Sequence, residues 1–248
     1  MLGAEARMFG FGAHWVFLFS VFLPPADADN PTSDPGGKSA VGPSITVFRS
    51  GPPSRKDLSD DDREQILSKQ KQGLILRGYK LSPSDWKRIS ATPNLSVLDL
   101  YNSNATDRNL ESFSSSPRLE VLNLGCTDIT DAGVLELVRL RTLRNLDISF
   151  TATKDDGIAL LSALQNLRVL NLSGTGVGGS SLKRLSLLQH LQKLDLSRTR
   201  IQDADLAILQ EMRHLEELSL ANDGITNAGL SCTFATILNL DNYRFPGA

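Results

Sequence analysis

The chain has 248 residues, 40% of them hydrophobic, and 26 Lys and Arg against 28 Asp and Glu give a net charge of −2. That apolar share is enough for one substantial core, while the near-neutral balance and a pI near 5.9 exclude the basic field of a dedicated nucleic-acid binder. Two cysteines, Cys126 and Cys232, exclude a disulfide-built scaffold.

In chain order, residues 1–28 read as a secretory signal. Arg7 supplies a positive start, Phe9 through Leu23 form an apolar stretch too short to span a bilayer comfortably, and Ala26-Asp27-Ala28 fits a cleavage site ahead of Asp29. The competing reading is an uncleaved N-terminal anchor or a start at Met8. No later stretch is apolar enough to form an integral membrane span after cleavage. Residues 29–58 are rich in Pro, Gly, Ser and Asp and read as a flexible linker with no packed core. Residues 59–70 read as an N-terminal capping helix whose Ile66 and Leu67 cover the end of the core.

Residues 71–248 carry a repeat. Leu95, Leu119, Leu143, Leu167, Leu191 and Leu215 recur every 24 residues. Leu98, Leu122, Leu146, Leu170, Leu194 and Leu218 keep the same step, as do Leu100, Leu124, Ile148, Leu172, Leu196 and Leu220. Alternation within each LxxLxL segment predicts a strand with one buried face. The following Val134, Leu137, Val138 and Leu140 have helical spacing. Leu74, Leu76, Leu81, Trp86 and Ile89 hold the same phases in a first, degenerate unit, and the pattern breaks after Leu230, with Ile237, Leu238 and Leu240 arriving early for another strand. About seven units result, the last of them degenerate. A single unit cannot bury its own apolar face, so the units must stack into an α/β solenoid, with a parallel sheet on the concave side and helices on the convex side.

The turns carry two polar columns. Asp107, Asp131, Asp155, Asp203 and Asn227 precede the helical pattern and are expected to cap their own helices. Thr127, Thr151, Thr175 and Thr199 are expected to bond the backbone of the neighbouring coil.

Units such as LEVLNLGCTDITDAGVLELVRL resemble the leucine-rich-repeat family, in a variant similar to repeats of exported bacterial proteins, including planctomycete ones, and related to the cysteine-containing repeats that follow F-box motifs. The resemblance implies a right-handed curved solenoid that docks protein partners on its concave sheet. Residues 30–70 show no F-box, so the alternative of an intracellular adaptor or effector-type recognition subunit requires the N-terminal segment to be something other than a signal.

On the outward sheet face a middle column runs Asp99, Asn123, Asp147, Asn171, Asp195 and Ser219. It reads as a structural ladder, or as an acidic binding strip to which Asp147 and Asp195 contribute. Arg144 and Arg168 stack in adjacent units, with Lys193 and Arg198 nearby and Phe150 at the end of its strand. Arg and aromatic residues dominate protein interfaces once desolvated, so these five form the candidate partner site, which Tyr101 extends; the bland alternative is an ordinary solvated face.

Other motifs point away from chemistry. His190 and His214 lie one period apart in turns, without a third metal ligand. Gly174, Gly176, Gly178 and Gly179 resemble a phosphate loop but lack its lysine. Asn104-Ala105-Thr106 and Asn171-Leu172-Ser173 match the glycosylation pattern, with Asn171 inside the sheet. Cys126 reads as a small, partly covered apolar residue, with a reactive thiol as the alternative. No catalytic, cofactor or metal residues are assigned. The expectation is a non-enzymatic, protein-binding module that is exported to the periplasm, the cell envelope or the medium.

Overall fold

The computed structural model describes residues 55–59, 72–113, 116–221, 224–226 and 229. The signal segment, residues 29–54 of the expected linker, the expected capping helix from residue 60 onward, Asn227, Cys232 and the early strand at residues 237–240 lie outside the described residues.

Seven strands form one parallel sheet in chain order: β2 (Gly73–Ile75), β4 (Val97–Asp99), β5 (Val121–Asn123), β6 (Asn145–Asp147), β7 (Val169–Asn171), β8 (Lys193–Asp195) and β9 (Glu217–Ser219). The register is that of the repeat: Leu74 pairs with Leu98, Leu98 with Leu122, and so on to Leu194 with Leu218. A short second sheet pairs β1 (Lys56–Asp57) with β3 (Tyr79–Lys80). Arg55 to Leu58, the end of the segment expected to be linker, are thus part of the fold, with Leu58 buried in the core.

Helices return each coil to the sheet: α1 (Pro83–Ser90), α2 (Asp107–Leu110), α3 (Asp131–Leu137), α4 (Asp155–Leu160), α5 (Gly179–Leu185) and α6 (Leu206–Leu209). Between sheet and helices the three leucine columns and helical residues such as Val134, Leu137, Ile158 and Leu182 form one continuous core. Each fully buried leucine contributes about 2 kcal/mol, which no coil could collect alone. Leu74, Leu76, Leu81, Trp86 and Ile89 are all buried, so the degenerate first unit packs like the others. Trp86 meets Phe113 of the next coil edge to face, with ring centroids 6.0 Å apart.

The acidic column does something other than the expected capping. Asp107, Asp131 and Asp155 are the first residues of their helices, preceded by Thr106, Thr130 and Lys154 at the N-cap. Their carboxylates accept from the N-cap backbone of the following coil: Thr130 N–H to Asp107 at 2.8 Å, Lys154 to Asp131 at 2.7 Å and Gly178 to Asp155 at 2.7 Å, and Asp203 likewise accepts from the Thr226 N–H at 2.8 Å. Where the preceding coil has no such acid, the N-cap N–H turns to its own helix: Ser82 to Asp85 at 2.8 Å, Thr106 to Asn109 at 2.9 Å and Gln202 to Asp205 at 2.9 Å. A helix-start donor left without an acceptor costs about 1–3 kcal/mol when buried, and among the described coils every N-cap donor has one.

The threonine column is also corrected. Thr127, Thr151, Thr175 and Thr199 donate to the carbonyls of Leu124, Ile148, Leu172 and Leu196, three residues back in their own coils, at 2.5–2.7 Å. The hydroxyl closes the turn that follows each strand rather than joining coils.

Candidate partner-binding face

The outward sheet face is built on that turn. One residue per coil, at Gly78, Asn102, Cys126, Phe150, Gly174 and Arg198, takes a left-handed backbone with φ between 53° and 71°. In this conformation its N–H still reaches the next coil, as in Cys126 to Ser149 O at 2.8 Å and Phe150 to Ser173 O at 2.7 Å. Four of the six are not glycine, and a side chain there costs roughly 1–2 kcal/mol.

The middle column does not project to a partner as expected of positions without packing duties. Each carboxylate or amide oxygen accepts from the backbone N–H two residues on: Tyr101 to Asp99 at 3.1 Å, Gly125 to Asn123 at 2.9 Å, Ser149 to Asp147 at 2.8 Å, Ser173 to Asn171 at 3.0 Å and Ser197 to Asp195 at 2.9 Å. Asn171 also donates to Asp147 across the coils at 3.3 Å. The ladder reading therefore describes this column, and Asp147, only 3% exposed, is withdrawn from the surface; Asp195 is half-buried. Burial pushes the Asp147 carboxyl up to about 6, against the pull of its hydrogen bonds to Ser149 and Asn171, with Asp99 adding repulsion.

Arg144 and Arg168 share the column just before the strands with Glu120, Gln192 and Glu216, while Lys193 and Glu217 lie one position further on, as the first residues of β8 and β9. Arg144 Nε sits 3.4 Å from Glu120 of the preceding coil, both about half exposed. Lys193 reaches Glu217 of the following coil at 2.5 Å, and Gln192 reaches Glu216 at 3.3 Å. Arg168, exposed between them, has no carboxylate partner among the described residues. Arg198 is exposed at the opposite edge of the face, and Phe150 is 46% exposed with its ring lying on Gly174 of the next coil, where an added Cβ would come within 2.5 Å of it.

Tyr101 belongs to another cluster, over the first coils. Its hydroxyl is 3.2 Å from Cys126 Sγ, its ring lies on Gly125, and the Arg77 guanidinium sits 5.7 Å from the ring centroid. Arg77 also pairs with Asp99 at 2.5 Å, while Arg55 pairs with Asp128 at 3.1 Å and approaches the Cys126 carbonyl. Burial raises the Cys126 thiol above its ordinary range, which favours the partly covered apolar reading over a reactive thiolate. Sequence reasoning missed both arginines. Arg77 was findable, since it stands 24 residues before Tyr101; Arg55 lies outside the repeat and gives no signal.

The remaining motifs are placed plainly. His190 and His214 are exposed in consecutive turns, and among the described residues no three His, Cys, Asp or Glu converge as metal ligands would. Asn104 bonds the Leu81 backbone through both side-chain atoms, and Asn171 is buried, so both glycosylation matches serve the fold. Gly174 takes the left-handed turn, and the N–H of Gly178 is held by Asp155, leaving no phosphate cradle. Among the described residues no helix is long and apolar enough to cross a membrane.

A family profile described as "Leucine Rich repeat" matches residues 115–138, 163–186 and 188–207. The matched segments are leucine-rich repeats. Among solved structures, the chain is similar to internalin C2 of Listeria monocytogenes, with a TM-score of 0.54 and 23% identity over 67% of this chain and 68% of that one. It is also similar to an internalin of the same organism at TM-score 0.46 and 21% identity, over 72% of this chain and 61% of that one. A leucine-rich-repeat protein of Leptospira interrogans matches at 0.48 and 20%, over 64% and 45%. At such identities the likeness concerns the fold. No curated protein matches the chain.

Proposed function

We propose that this leucine-rich-repeat protein is an exported, non-enzymatic module that recognises a protein partner on its sheet face, around Arg144 and Arg168. The observation that carries the reading is the pattern of ion pairs at the strand starts of three consecutive coils. Arg144 and Lys193 each have a carboxylate from an adjacent coil, whereas Arg168, between them on the same rigid frame, is exposed without one among the described residues. An exposed guanidinium held by a stiff sheet, with Phe150 and Arg198 at the far edge, is the composition of an interface core. Leucine-rich-repeat proteins typically bind proteins, which supports the class of partner, and the apolar stretch before Ala26-Asp27-Ala28 supports export.

Affinity capture from the native envelope fraction tests the site, comparing wild type with Arg144→Glu plus Arg168→Glu. A partner held by wild type and lost by the folded double variant is the expected result; equal capture by both refutes the placement. N-terminal sequencing tests export: a mature chain beginning at Asp29 is expected, and an intact Met1 on a cytoplasmic chain overturns it.

A further inference from the structure

The coil that carries Arg168 presents an unusual profile between its two ends. After the exposed guanidinium come Val169, half-buried, then Asn171 and Ser173, both buried in the face. Six residues beyond Arg168, Gly174 has no side chain of its own, and the Phe150 ring from the preceding coil occupies its place. The coil therefore offers a low floor along the strand direction, with a cation at one end and an exposed aromatic ring at the other. At a strand rise near 3.3 Å the two ends stand roughly 15–20 Å apart.

The two ends differ in what they lack. Arg168 N–H and Val169 N–H both donate to the Arg144 carbonyl at 2.7 and 3.0 Å, which fixes the two arginines in adjacent coils about 4.8 Å apart. Glu120 sits on Arg144 from the far side, so the pair has one carboxylate for two cations. A carboxylate on Arg168 would give it what Glu120 gives Arg144 in the same column and what Glu217 gives Lys193 one position further on. Phe150 holds a left-handed backbone that glycine takes at less cost, yet keeps 46% of its surface exposed. The ring lies on Gly174, and its exposed part is open to an apolar side chain from another chain.

We propose that the sheet face takes an extended, acidic protein segment, lying along the Arg168 coil, with a carboxylate on Arg168 and an apolar side chain on Phe150 about five residues away. This rests on the partner-binding reading of the same face and adds the chemistry of the occupant. Charge complementarity selects the carboxylate, because a neutral or basic segment would leave the exposed Arg168 guanidinium without one. The flat floor of Val169, Asn171 and Ser173 selects an extended backbone, since a helix would meet the face at spaced points and leave it uncovered.

The probe is a fluorescent synthetic peptide with two glutamates, a four-residue Gly/Ser spacer and a Leu-Phe pair, read by anisotropy against the full chain. Binding is expected to weaken about tenfold on Arg168→Gln and by a similar factor on Phe150→Gly, and to vanish when glutamines replace the glutamates. Glycine is chosen at 150 because it fits the left-handed turn and keeps the coil folded. Shortening the spacer to one residue should cost as much as removing either anchor. The proposal is overturned if the peptide does not bind, if Arg168→Gln binds it like wild type, or if a single-stranded oligonucleotide of equal charge binds more tightly. A captured partner that depends on Arg144 and Arg168, together with a peptide that fails to bind, would leave the recognition site standing and remove only the acidic extended occupant.

Discussion

Asp131 and Asp205 bring a carboxylate to the same kind of backbone donor from opposite sides. Asp131 reaches forward to Lys154 of the next coil, and Gly157, two residues after the next helix starts, makes room for it. Asp205 stands at the position of Gly157 two repeats further round and bonds its own Gln202, while the place of Asp131 is held by Gly179, where a Cβ would lie 1.8 Å from the Asp205 carboxylate. The same exchange separates Asp107 and Asp203, matched with Gly133 and Gly229, from the coil pair of Pro83 with Asn109. The physical requirement is one acceptor per N-cap donor and space for only one. Which coil supplies it is open, so an acid or amide on one side is matched by glycine, proline or serine on the other.

The sharpest way to break this comparison is to supply both carboxylates at once. Gly179→Asp drives a second acid into Asp205 and should cost about 3 kcal/mol in urea unfolding, with Asp205→Gly in the same chain recovering most of it. Failure of that rescue would mean that the exchange is incidental. Gly133→Ala places a Cβ 2.3 Å from the Asp107 carboxylate and should cost about 2 kcal/mol, visible as a lower denaturation midpoint with unchanged slope.

The buried ladder offers a third test, through pH. The Asp147 carboxyl is held up near 6 by burial, above its value in the unfolded chain, so the folded state binds its proton more tightly. Its contribution to stability is fully present below the unfolded value and falls as pH rises through about 6, by about 3 kcal/mol. Asp147→Asn should flatten that part of the profile. The hydrogen bonds on Asp155, from Ser180, Gly178 and Ser181, outweigh its burial and hold it below the ordinary carboxylate value. Its contribution runs the other way, present at neutral pH and lost only in acid as pH falls through the folded value. The smallest expected effect is Phe150→Gly, which relieves the left-handed backbone and should gain about 1 kcal/mol in a thermal melt.

The leucine columns made the fold legible from sequence because a fixed period of 24 leaves only stacking as a way to bury them. The polar columns were visible as columns, yet their partners were misassigned. Periodicity places Asp131 beside a helix start but does not say whether its carboxylate points into its own coil or the next. The middle column was read both as ladder and as surface; only the backbone turn at Ser149 shows that Asp147 is consumed by its own chain. Arg144, Arg168 and Phe150 were legible as exposed because the repeat register fixes which way each faces. The left-handed backbone at Phe150 was not, since nothing in the residue type announces it.

Arg55 to Leu58 also set how the array responds to load. Lys56 and Asp57 pair with Tyr79 and Lys80 in the first coil, while Arg55 grips Asp128 and approaches Cys126 in the third. Tension entering from the N-terminal side is therefore divided between two coils that are not neighbours. The end of a solenoid would otherwise peel one turn at a time; here detaching the first turn together with this segment also breaks the Arg55–Asp128 pair on the third.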